Sequence, residues 1–248
     1  MKQKTIVIVG ASRGIGKALL KLYAKSGYTV IGTYNKNVKA AQLLSKKFDQ
    51  VTFIHCNLAK LHSVRACAKK ISRITPSLDI VINNAGIYTA GGLQQLPIRA
   101  LHNAFGVNVT GKFLLTQLLL PLLNTAPEAK VVFISSRFGF FGNVEADSLS
   151  YTLSNSALIM LSRSLQEEFL HTNIRIGCFI PTVTKTDRFT SAFTREEQMA
   201  IQQSKLLAQP IDTARKIKAY TDSLRGVSIG VDARVPNELF HKIRLETV

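Results

Sequence analysis

Acidic residues are scarce in this 248-residue sequence, and its first half contains almost none. The chain has 32 Lys and Arg against 15 Asp and Glu, and Asp49 and Asp79 are the only acids before residue 128. A positive field of this size attracts polyanions such as nucleotide cofactors, carrier-protein thioesters, nucleic acid or anionic lipid. Lysine-rich helix faces exposed to water would give the same composition, so both interpretations stay open. No more than two basic residues are adjacent, which argues against a nucleic-acid-binding tail.

Cysteine, histidine and long apolar runs are scarce as well. The three cysteines, Cys56, Cys67 and Cys178, are odd in number and far apart, which excludes a disulfide framework and favours small buried residues. The five histidines have no metal-ligand spacing, so we expect no metal site. The longest apolar run, 118–123, is too short to cross a bilayer, and a strand-like run follows the N-terminus without room for a signal peptide. We therefore expect a cytoplasmic globular protein without a membrane span.

Strand-like and helix-like segments alternate along the chain. Apolar, β-branched runs of the kind expected for parallel strands buried on both faces occur at 4–9, 28–33, 51–56, 78–82, 130–134 and 174–180, with a possible seventh strand at 227–231. Helical patterns occur at 18–27, 37–48, 61–74, 97–123, 150–171 and 211–224, and a short one at 196–206. This alternation predicts an α/β fold, a doubly wound parallel sheet of about seven strands with helices on both faces.

A glycine-rich turn lies between the first strand and the first helix. It reads Gly10-Ala11-Ser12-Arg13-Gly14-Ile15-Gly16. Gly10 permits a tight turn, Gly14 lets the backbone approach a pyrophosphate, and Gly16 lets the helix pack closely on the strand. The helix N-terminus then offers N–H donors and a partial positive charge to phosphates. This context predicts a dinucleotide-binding loop with contacts from Gly10, Ser12, Arg13, Gly14, Ile15 and Gly16.

The end of the second strand indicates which dinucleotide binds. An acid at this place would accept hydrogen bonds from the ribose hydroxyls of NAD, but the chain has Tyr34, Asn35 and Lys36 there. Arg13 in the glycine loop and Lys36 are placed to meet a 2′-phosphate, Arg13 through its bidentate fork and Lys36 as a point charge. We therefore expect NADP(H). The alternative is that both side chains are simply exposed to water.

Further motifs identify the family. Tyr151-Thr152-Leu153-Ser154-Asn155, with Ser136 and Asn108 upstream, resembles the active-site segments of the short-chain dehydrogenase/reductase family, nicotinamide-dependent oxidoreductases with a Rossmann fold. The Gly-x-x-x-Gly-x-Gly spacing, Asn83-Asn84-Ala85-Gly86 and Asn108-x-x-Gly111 are similar to other motifs of that family. The likeness extends over the first 190 residues and includes the family's 3-oxoacyl-carrier-protein reductases. It implies a single NAD(P)-binding Rossmann domain over residues 1–248, with a substrate lid at about 187–210.

The resemblance also implies roles for individual residues. Tyr151 would give a proton to the carbonyl oxygen, Ser136 would polarise and place that oxygen, and Asn108 would hold a water in the proton relay. The alternative for Asn108 is a polar residue that kinks its helix. The residues implied to contact the cofactor beyond the glycine loop are Asn35, Lys36, Asn57, Leu58, Asn83, Asn84, Ala85, Gly86, Tyr151, Asn155, Pro181, Thr184 and Thr186. The gap from Ser136 to Tyr151 is two residues longer than usual, and the loop 144–148 is expected to absorb it.

One position departs from the family pattern. The family has Tyr-x-x-x-Lys, where the lysine ammonium holds the nicotinamide ribose and favours ionisation of the tyrosine, and this chain has Asn155. An asparagine can hydrogen-bond ribose hydroxyls but carries no charge. Loss of the cation would let the pKa of the tyrosine return towards its ordinary value of about 10. This change corresponds to roughly 3–4 kcal/mol, or to a rate lower by about a hundred- to thousandfold. Lys112, one turn beyond Asn108, and Lys185 are candidate replacements for the missing cation.

Three functions are consistent with these observations. The leading hypothesis is an NADP(H)-dependent oxidoreductase that reduces a carbonyl or oxidises an alcohol, impaired or altered by Asn155. The second is a catalytically inactive NADP(H)-binding sensor or partner subunit, and the third is a polyanion-binding role of the basic N-terminal half. The resemblance further implies a homodimer or homotetramer, and a small carbonyl or alcohol substrate that a carrier protein could hold. The residues that suggest a partly apolar substrate pocket are Gly91, Gly92, Phe138, Phe140, Phe141 and Phe189.

Overall fold

The computed structural model of the chain describes residues 3–140, 147–192, 194–203, 207–226 and 228–232. Seven parallel strands form one sheet in the order β3-β2-β1-β4-β5-β6-β7. The strands are β1 (Thr5–Val9), β2 (Thr29–Tyr34), β3 (Val51–His55), β4 (Ile80–Asn83), β5 (Ala129–Ile134), β6 (Ile174–Ile180) and β7 (Ser228–Val231). The predicted sheet is confirmed. Residue 227, with which the seventh strand was expected to begin, lies outside the described residues.

Nine helices are described, and most of them alternate with the strands. They are α1 (Gly14–Lys25), α2 (Val38–Lys47), α3 (Leu61–Ile74), α4 (Ile98–Phe105), α5 (Gly111–Leu123), α6 (Leu149–Glu168), α7 (Asp187–Ala192), α8 (Arg195–Gln203) and α9 (Pro210–Ser223). The segment 187–210 thus contains two helices where the sequence predicted one at 196–206. Residues 193 and 204–206 in that segment lie outside the described residues, as do Phe141 and most of the loop expected at 144–148.

Alternate residues of each strand point to opposite faces of the sheet. Val7 and Val9 of β1 pack in a core with α3, α5 and α6, whereas Ile6 and Ile8 pack in a second core with α1 and α9. Helix α2 adds Leu44 to the second core. Because both faces of the sheet are covered, the central strands are mostly apolar. This arrangement confirms the doubly wound Rossmann-like fold.

The predicted helix at 97–123 is continuous but not uniform. A π-helical turn, Gly106–Thr110, separates α4 from α5. The whole helix, Ile98–Leu123, has 26 residues and is long and apolar enough to cross a membrane by length and composition. However, Leu115, Leu119 and Leu123 are fully buried against the sheet, and this packing accounts for much of the apolar character. Core helices of water-soluble domains commonly have such a composition.

Strand β4 is tied to α5 by a buried pair of polar side chains. Asn83, the last residue of β4, is fully buried, and its Nδ2 donates to Thr116 Oγ1 of α5 at 3.0 Å. A buried amide N–H without an acceptor costs about 1–3 kcal/mol. This contact therefore holds the helix against the end of the strand from which residues 84–86 continue.

We expect Thr116→Val to lower the free energy of unfolding by about 1–3 kcal/mol, because it leaves Asn83 Nδ2 buried without this acceptor. Thr116→Ser, which keeps the hydroxyl and loses the methyl group, should retain most of the stability. Urea unfolding followed by circular dichroism measures both variants. An equal loss in the two variants would show that the methyl packing, not the hydrogen bond, is what matters.

Candidate active site

A cavity of about 510 Å³ lies along the carboxyl ends of the central strands. It occupies the place where the strand order reverses, between β1 and β4, and ligands of open α/β sheets bind in the crevice at this point. Its walls come from the segments that follow β1, β2, β4, β5 and β6, together with side chains of α5 and α6. The fold therefore brings together segments that are far apart in the sequence.

Most of the predicted site residues line this cavity. They are Gly10, Ser12, Arg13, Gly14, Ile15, Asn35, Lys36, Leu58, Asn84, Ala85, Gly86, Asn108, Ser136, Tyr151, Asn155, Pro181, Thr184 and Thr186. Three predicted residues are not in its lining. Gly16 packs against the Gly10 carbonyl, Asn57 Oδ1 accepts a hydrogen bond from Ala59 N at 3.1 Å, and Asn83 bonds to Thr116. These three residues make their contacts within the protein, outside the cavity lining.

The glycine loop has the backbone that its sequence predicts. Gly10 and Gly14 have φ values of 78° and 52°, in the left-handed region that favours glycine. A side chain at Gly16 would collide with the backbone of Gly10, so α1 can lie this close to β1 only with glycine there. No side chain caps the N-terminus of α1 at Arg13. Its first N–H groups therefore face the cavity and fit the pyrophosphate of a dinucleotide.

The far end of the cavity carries positive charge. Arg13 and Lys36 line it together with Tyr34 and Asn35. Arg13 Nη1 lies 3.7 Å from Asp187 Oδ2, and both side chains are largely exposed. An exposed ion pair of this kind contributes about 0–1 kcal/mol, so a phosphate could displace the carboxylate from Arg13. Two basic side chains, one of them paired with Asp187, thus line this part of the cavity.

The opposite end holds the two residues predicted to work on a carbonyl. Ser136 follows β5 and Tyr151 is in the first turn of α6, and both line the cavity. The Tyr151 ring makes edge contacts with Phe138 and Tyr88, at 5.7 Å and 5.3 Å between ring centres. These aromatic contacts restrict the orientation of the ring at the cavity wall.

The sequence comparison decides the family. A sequence model of the short chain dehydrogenase family matches residues 4–197, which include the glycine loop, Ser136 and Tyr151. The chain belongs to this short-chain dehydrogenase family. Among the curated relatives, it is 30% identical over 191 residues to the 3-oxoacyl-[acyl-carrier-protein] reductase FabG of Aquifex aeolicus, over 75% of this chain and 76% of that protein.

Solved structures of short-chain dehydrogenases share the fold. One from Burkholderia cenocepacia in complex with NADP has a TM-score of 0.83 and 24% identity, over 92% of this chain and 96% of the other. A 3-ketoacyl-(acyl-carrier-protein) reductase from Brucella melitensis complexed with NADH also has a TM-score of 0.83, with 21% identity over 93% and 96% of the two chains. At these identities the likeness concerns the fold, and the two structures contain different nicotinamide cofactors.

In this short-chain dehydrogenase, the side chain of Asn108 is bonded to the protein. Asn108 lies in the π-helical turn, where its Oδ1 accepts from Ile87 N at 2.8 Å. Its Nδ2 donates to Ile87 O at 3.0 Å and to Ser154 Oγ of α6 at 2.9 Å. The amide thus clamps the segment after β4 onto α6 and places Tyr88 beside Tyr151. The predicted role in holding a relay water stays a prediction.

Asn155 is also turned towards the protein. Its Nδ2 donates to Tyr151 O at 2.9 Å, one helical turn earlier, and its Oδ1 accepts from Ser135 Oγ at 3.4 Å. Ser135 Oγ also donates to Asn155 O at 3.1 Å. The amide therefore stabilises the junction between α6 and the end of β5.

The two candidate cations of this dehydrogenase differ in position. Lys185 is exposed and is not among the residues that line the cavity. Lys112 is buried, lines the cavity, and donates from Nζ to Ile134 O at 3.4 Å. A second cation, Arg137, also lines the cavity, and its guanidinium lies over the Phe138 ring at 5.1 Å.

The pocket residues suggested by the sequence divide into two groups. Phe138 and Phe189 line the cavity, whereas Phe140 packs against the cluster of Ile159, Cys178 and Ile180. Gly91 and Gly92 are not in the lining. Sequence reasoning missed Tyr88 and Thr33, of which Thr33 Oγ1 accepts from Gly10 N at 3.0 Å. An aromatic residue two positions after the Asn83–Gly86 motif is the one local signal for Tyr88.

We expect Asn108→Ala to lower the free energy of unfolding by about 2–3 kcal/mol, because it removes three hydrogen bonds between different segments. Ser154→Ala removes one of these bonds and should cost about 1 kcal/mol. Urea unfolding gives the stabilities, and amide hydrogen exchange at Ile87 reports the loss of the clamp in Asn108→Ala. An equal loss of stability in both variants would contradict the assignment of Asn108 as the main clamp.

Proposed function

We propose that this protein is an NADP(H)-dependent oxidoreductase that reduces a carbonyl, or oxidises an alcohol, by hydride transfer. The observation that carries the proposal is the arrangement of the cavity. A glycine loop and two basic side chains are at one end, and Ser136 and Tyr151 line the other end. This order matches a dinucleotide whose phosphates and reactive ring are at opposite ends.

The chemistry requires a hydride and a proton. The nicotinamide, when bound, supplies or accepts the hydride. Ser136 is suited to donate a hydrogen bond to the carbonyl oxygen, because it follows β5 at the cavity wall and its Oγ is not committed as a donor to Phe138, whose N–H it accepts at 3.4 Å. Tyr151 then gives its proton to the same oxygen. The aromatic contacts of its ring with Tyr88 and Phe138 hold it in one orientation.

The preference for NADP(H) follows from charge. Arg13 and Lys36 line the cavity, and the end of β2 carries Tyr34, Asn35 and Lys36 instead of an acid that would accept hydrogen bonds from the ribose of NAD. The related structures contain NADP in one case and NADH in another, so the preference depends on the residues of this chain.

The substrate is proposed to be a carbonyl compound with an apolar part. Tyr88 and Phe138 contact the Tyr151 ring, and Phe189 also lines the cavity. The relative from Aquifex aeolicus is named for a carrier-bound substrate, and the basic first half of this chain would attract an acidic carrier protein. We further propose a cytoplasmic homo-oligomer that associates through the outer faces of α5 and α6. Phe113, Leu118, Leu153 and Met160 are exposed there.

We expect the double substitution Arg13→Ala with Lys36→Ala to weaken NADPH binding about tenfold or more and to change NADH binding little, because it removes the cations for the 2′-phosphate. The matched control is Lys69→Ala with Lys70→Ala, which removes two exposed lysines of α3 and the same net charge. Fluorescence titration with each cofactor gives the Kd values. Equal weakening by the control pair would assign the effect to the general field of the protein.

We expect Tyr151→Phe to lower kcat for carbonyl reduction by about 10²–10⁴-fold with NADPH binding retained, because it removes the proton donor but keeps the ring. Tyr28→Phe, a hydroxyl removal outside the cavity, is the control. NADPH consumption over a panel of aldehydes, ketones and 3-oxoacyl thioesters measures both. A native protein that binds NADPH and reduces none of them would instead support the inactive cofactor-binding alternative. Salt-sensitive binding to nucleic acid or anionic vesicles would support the polyanion-binding one.

A further inference from the structure

Lys112 is the unusual residue of the molecule. It is 1% exposed and is among the largest fully buried side chains. Lysines are almost never buried to this extent unless they are paired, because desolvation of an ammonium costs several kcal/mol. It is four residues before Thr116 of α5 and four residues after Asn108 of the π-helical turn, so the three side chains follow one another along the helix. Asn108 and Thr116 each fix a segment next to the cavity, so Lys112 lies between two structural contacts.

The ammonium of Lys112 lies at the end of β5. Nζ donates to Ile134 O at 3.4 Å, and the next residue, Ser135, bonds to both the backbone and the side chain of Asn155. Lys112, Ile134, Ser135, Asn155 and Tyr151 all line the same cavity. The ammonium therefore reaches the cavity at the end of β5, from α5, which packs on the same face of the sheet as α6.

The environment of a buried thiol, Cys178, also includes the charge of Lys112. Burial raises the pKa of the Cys178 thiol to about 12, while a hydrogen bond with Ser162 and the charge of Lys112 act in the other direction. Cys178 is on β6 and Ser162 on α6. The side chain of Lys112 thus lies within electrostatic range of Cys178 on β6.

Position 155 supplies no charge to this space. The Asn155 amide is bonded to Tyr151 O and to Ser135 Oγ, so it holds α6 in place. A proton donor that becomes a phenolate when it reacts is stabilised by a cation in a region of low dielectric. The cavity contains such a cation from α5.

We propose that Lys112 is a positioning residue that supplies the active-site cation in place of a lysine at position 155. The proposal rests on the proposed function of Tyr151. During reduction, Tyr151 transfers its proton to the carbonyl oxygen as the hydride reaches the carbon. The side chain of Lys112 stabilises the resulting phenolate, which water then reprotonates.

Other ionisable groups also line the cavity, and one of them, Arg137, provides the comparison for Lys112. Tyr88 contacts the Tyr151 ring, and Arg137 lies over Phe138. Cys56, Arg13, Lys36 and Asp187 are in the parts of the lining near the adenosine end. Arg137 is the other cation at the Tyr151 end, so Arg137→Met is the variant against which Lys112 is judged.

The first experiment compares Lys112→Met, an apolar side chain of similar length, with the exposed-lysine control Lys69→Met. We expect Lys112→Met to lower kcat for alcohol oxidation at neutral pH by about tenfold or more, because the phenolate loses its cation. For the same reason, the pH above which the reduction rate falls and the pH above which the oxidation rate rises should both be higher in this variant. Lys69→Met should change neither.

Asn155→Lys separates an electrostatic role from a structural one. In the Lys112→Met background, Asn155→Lys should restore most of the lost kcat and bring the pH profile back to that of the native protein. In the native background it should not raise kcat, because the cation is already present and the substitution removes the hydrogen bonds of the Asn155 amide. A loss caused by Arg137→Met should not be restored by Asn155→Lys.

A second readout does not depend on turnover. Ultraviolet difference titration of the cofactor-free protein, with each variant compared to its Tyr151→Phe counterpart, follows the ionisation of Tyr151 directly. We expect Tyr151 to ionise at higher pH in Lys112→Met than in the native chain. In the variant that also carries Asn155→Lys, the pH of ionisation should return to the native value. If the native protein reduces no carbonyl, the proposed function fails while this titration still tests Lys112.

The inference is overturned if folded Lys112→Met leaves both the titration and the pH profile where they are in the native protein. It is also overturned if Asn155→Lys in the native background raises kcat by about a hundredfold, since the site would then have lacked its cation. Thermal unfolding followed by circular dichroism establishes that each variant is folded. Should Lys112→Met not fold, the kcat and the titration of Asn155→Lys alone decide the question in the same way.

Discussion

The contact between the glycine loop and the end of strand β4 is the constraint on which the site depends. Asn84 Nδ2 donates to Gly10 O at 3.1 Å, and Ala85 N donates to Val9 O at 2.8 Å, so the turn after β1 is fixed against the segment after β4. A side chain at Gly16 would meet both Gly10 and Asn84. Because glycine is there, α1 can begin directly beside this contact and direct its N-terminus into the cavity. The packing that closes the centre of the sheet therefore also places the N-terminus of α1 at the cavity.

One face of α5 organises the other half of the site. Asn108, Lys112 and Thr116 recur every four residues, and they contact the segment after β4, the end of β5 and the end of β4 respectively. The π-helical turn just before α5 changes the rotation of this face relative to α4, since it contains a wider turn than an α-helix. A single helix thus sets the positions of Tyr88, Ser135 and Asn83. Small changes on this face would alter the whole nicotinamide end of the cavity.

The sequence was sufficient to predict the sheet, the glycine loop and the family, because these depend on local signals. Gly10 and Gly14 need their residue type for backbone reasons that can be read from the loop alone. The directions of Asn108 and Asn155 could not be predicted, because their partners, Ile87 and Ser135, are 21 and 20 residues away in the chain. The π-helical turn also escaped prediction, since a regular 3.6-residue pattern continues on both sides of it.

What matters for a cation in the site is its position in space. A sequence motif fixes only one place in the chain from which that position can be reached, so it is an incomplete guide to the charge of the site. The energy of a cation near a phenolate depends on their separation and on the dielectric around them, and not on which helix carries the cation. A lysine four residues after Tyr151 would approach from the same helix, whereas Lys112 approaches from α5 and is bonded to the end of β5. The conformational entropy of this long side chain is lost when the protein folds, since it is already buried without a cofactor. An ammonium placed in this way is preorganised, and no further ordering of its chain is needed when the cofactor and the substrate bind.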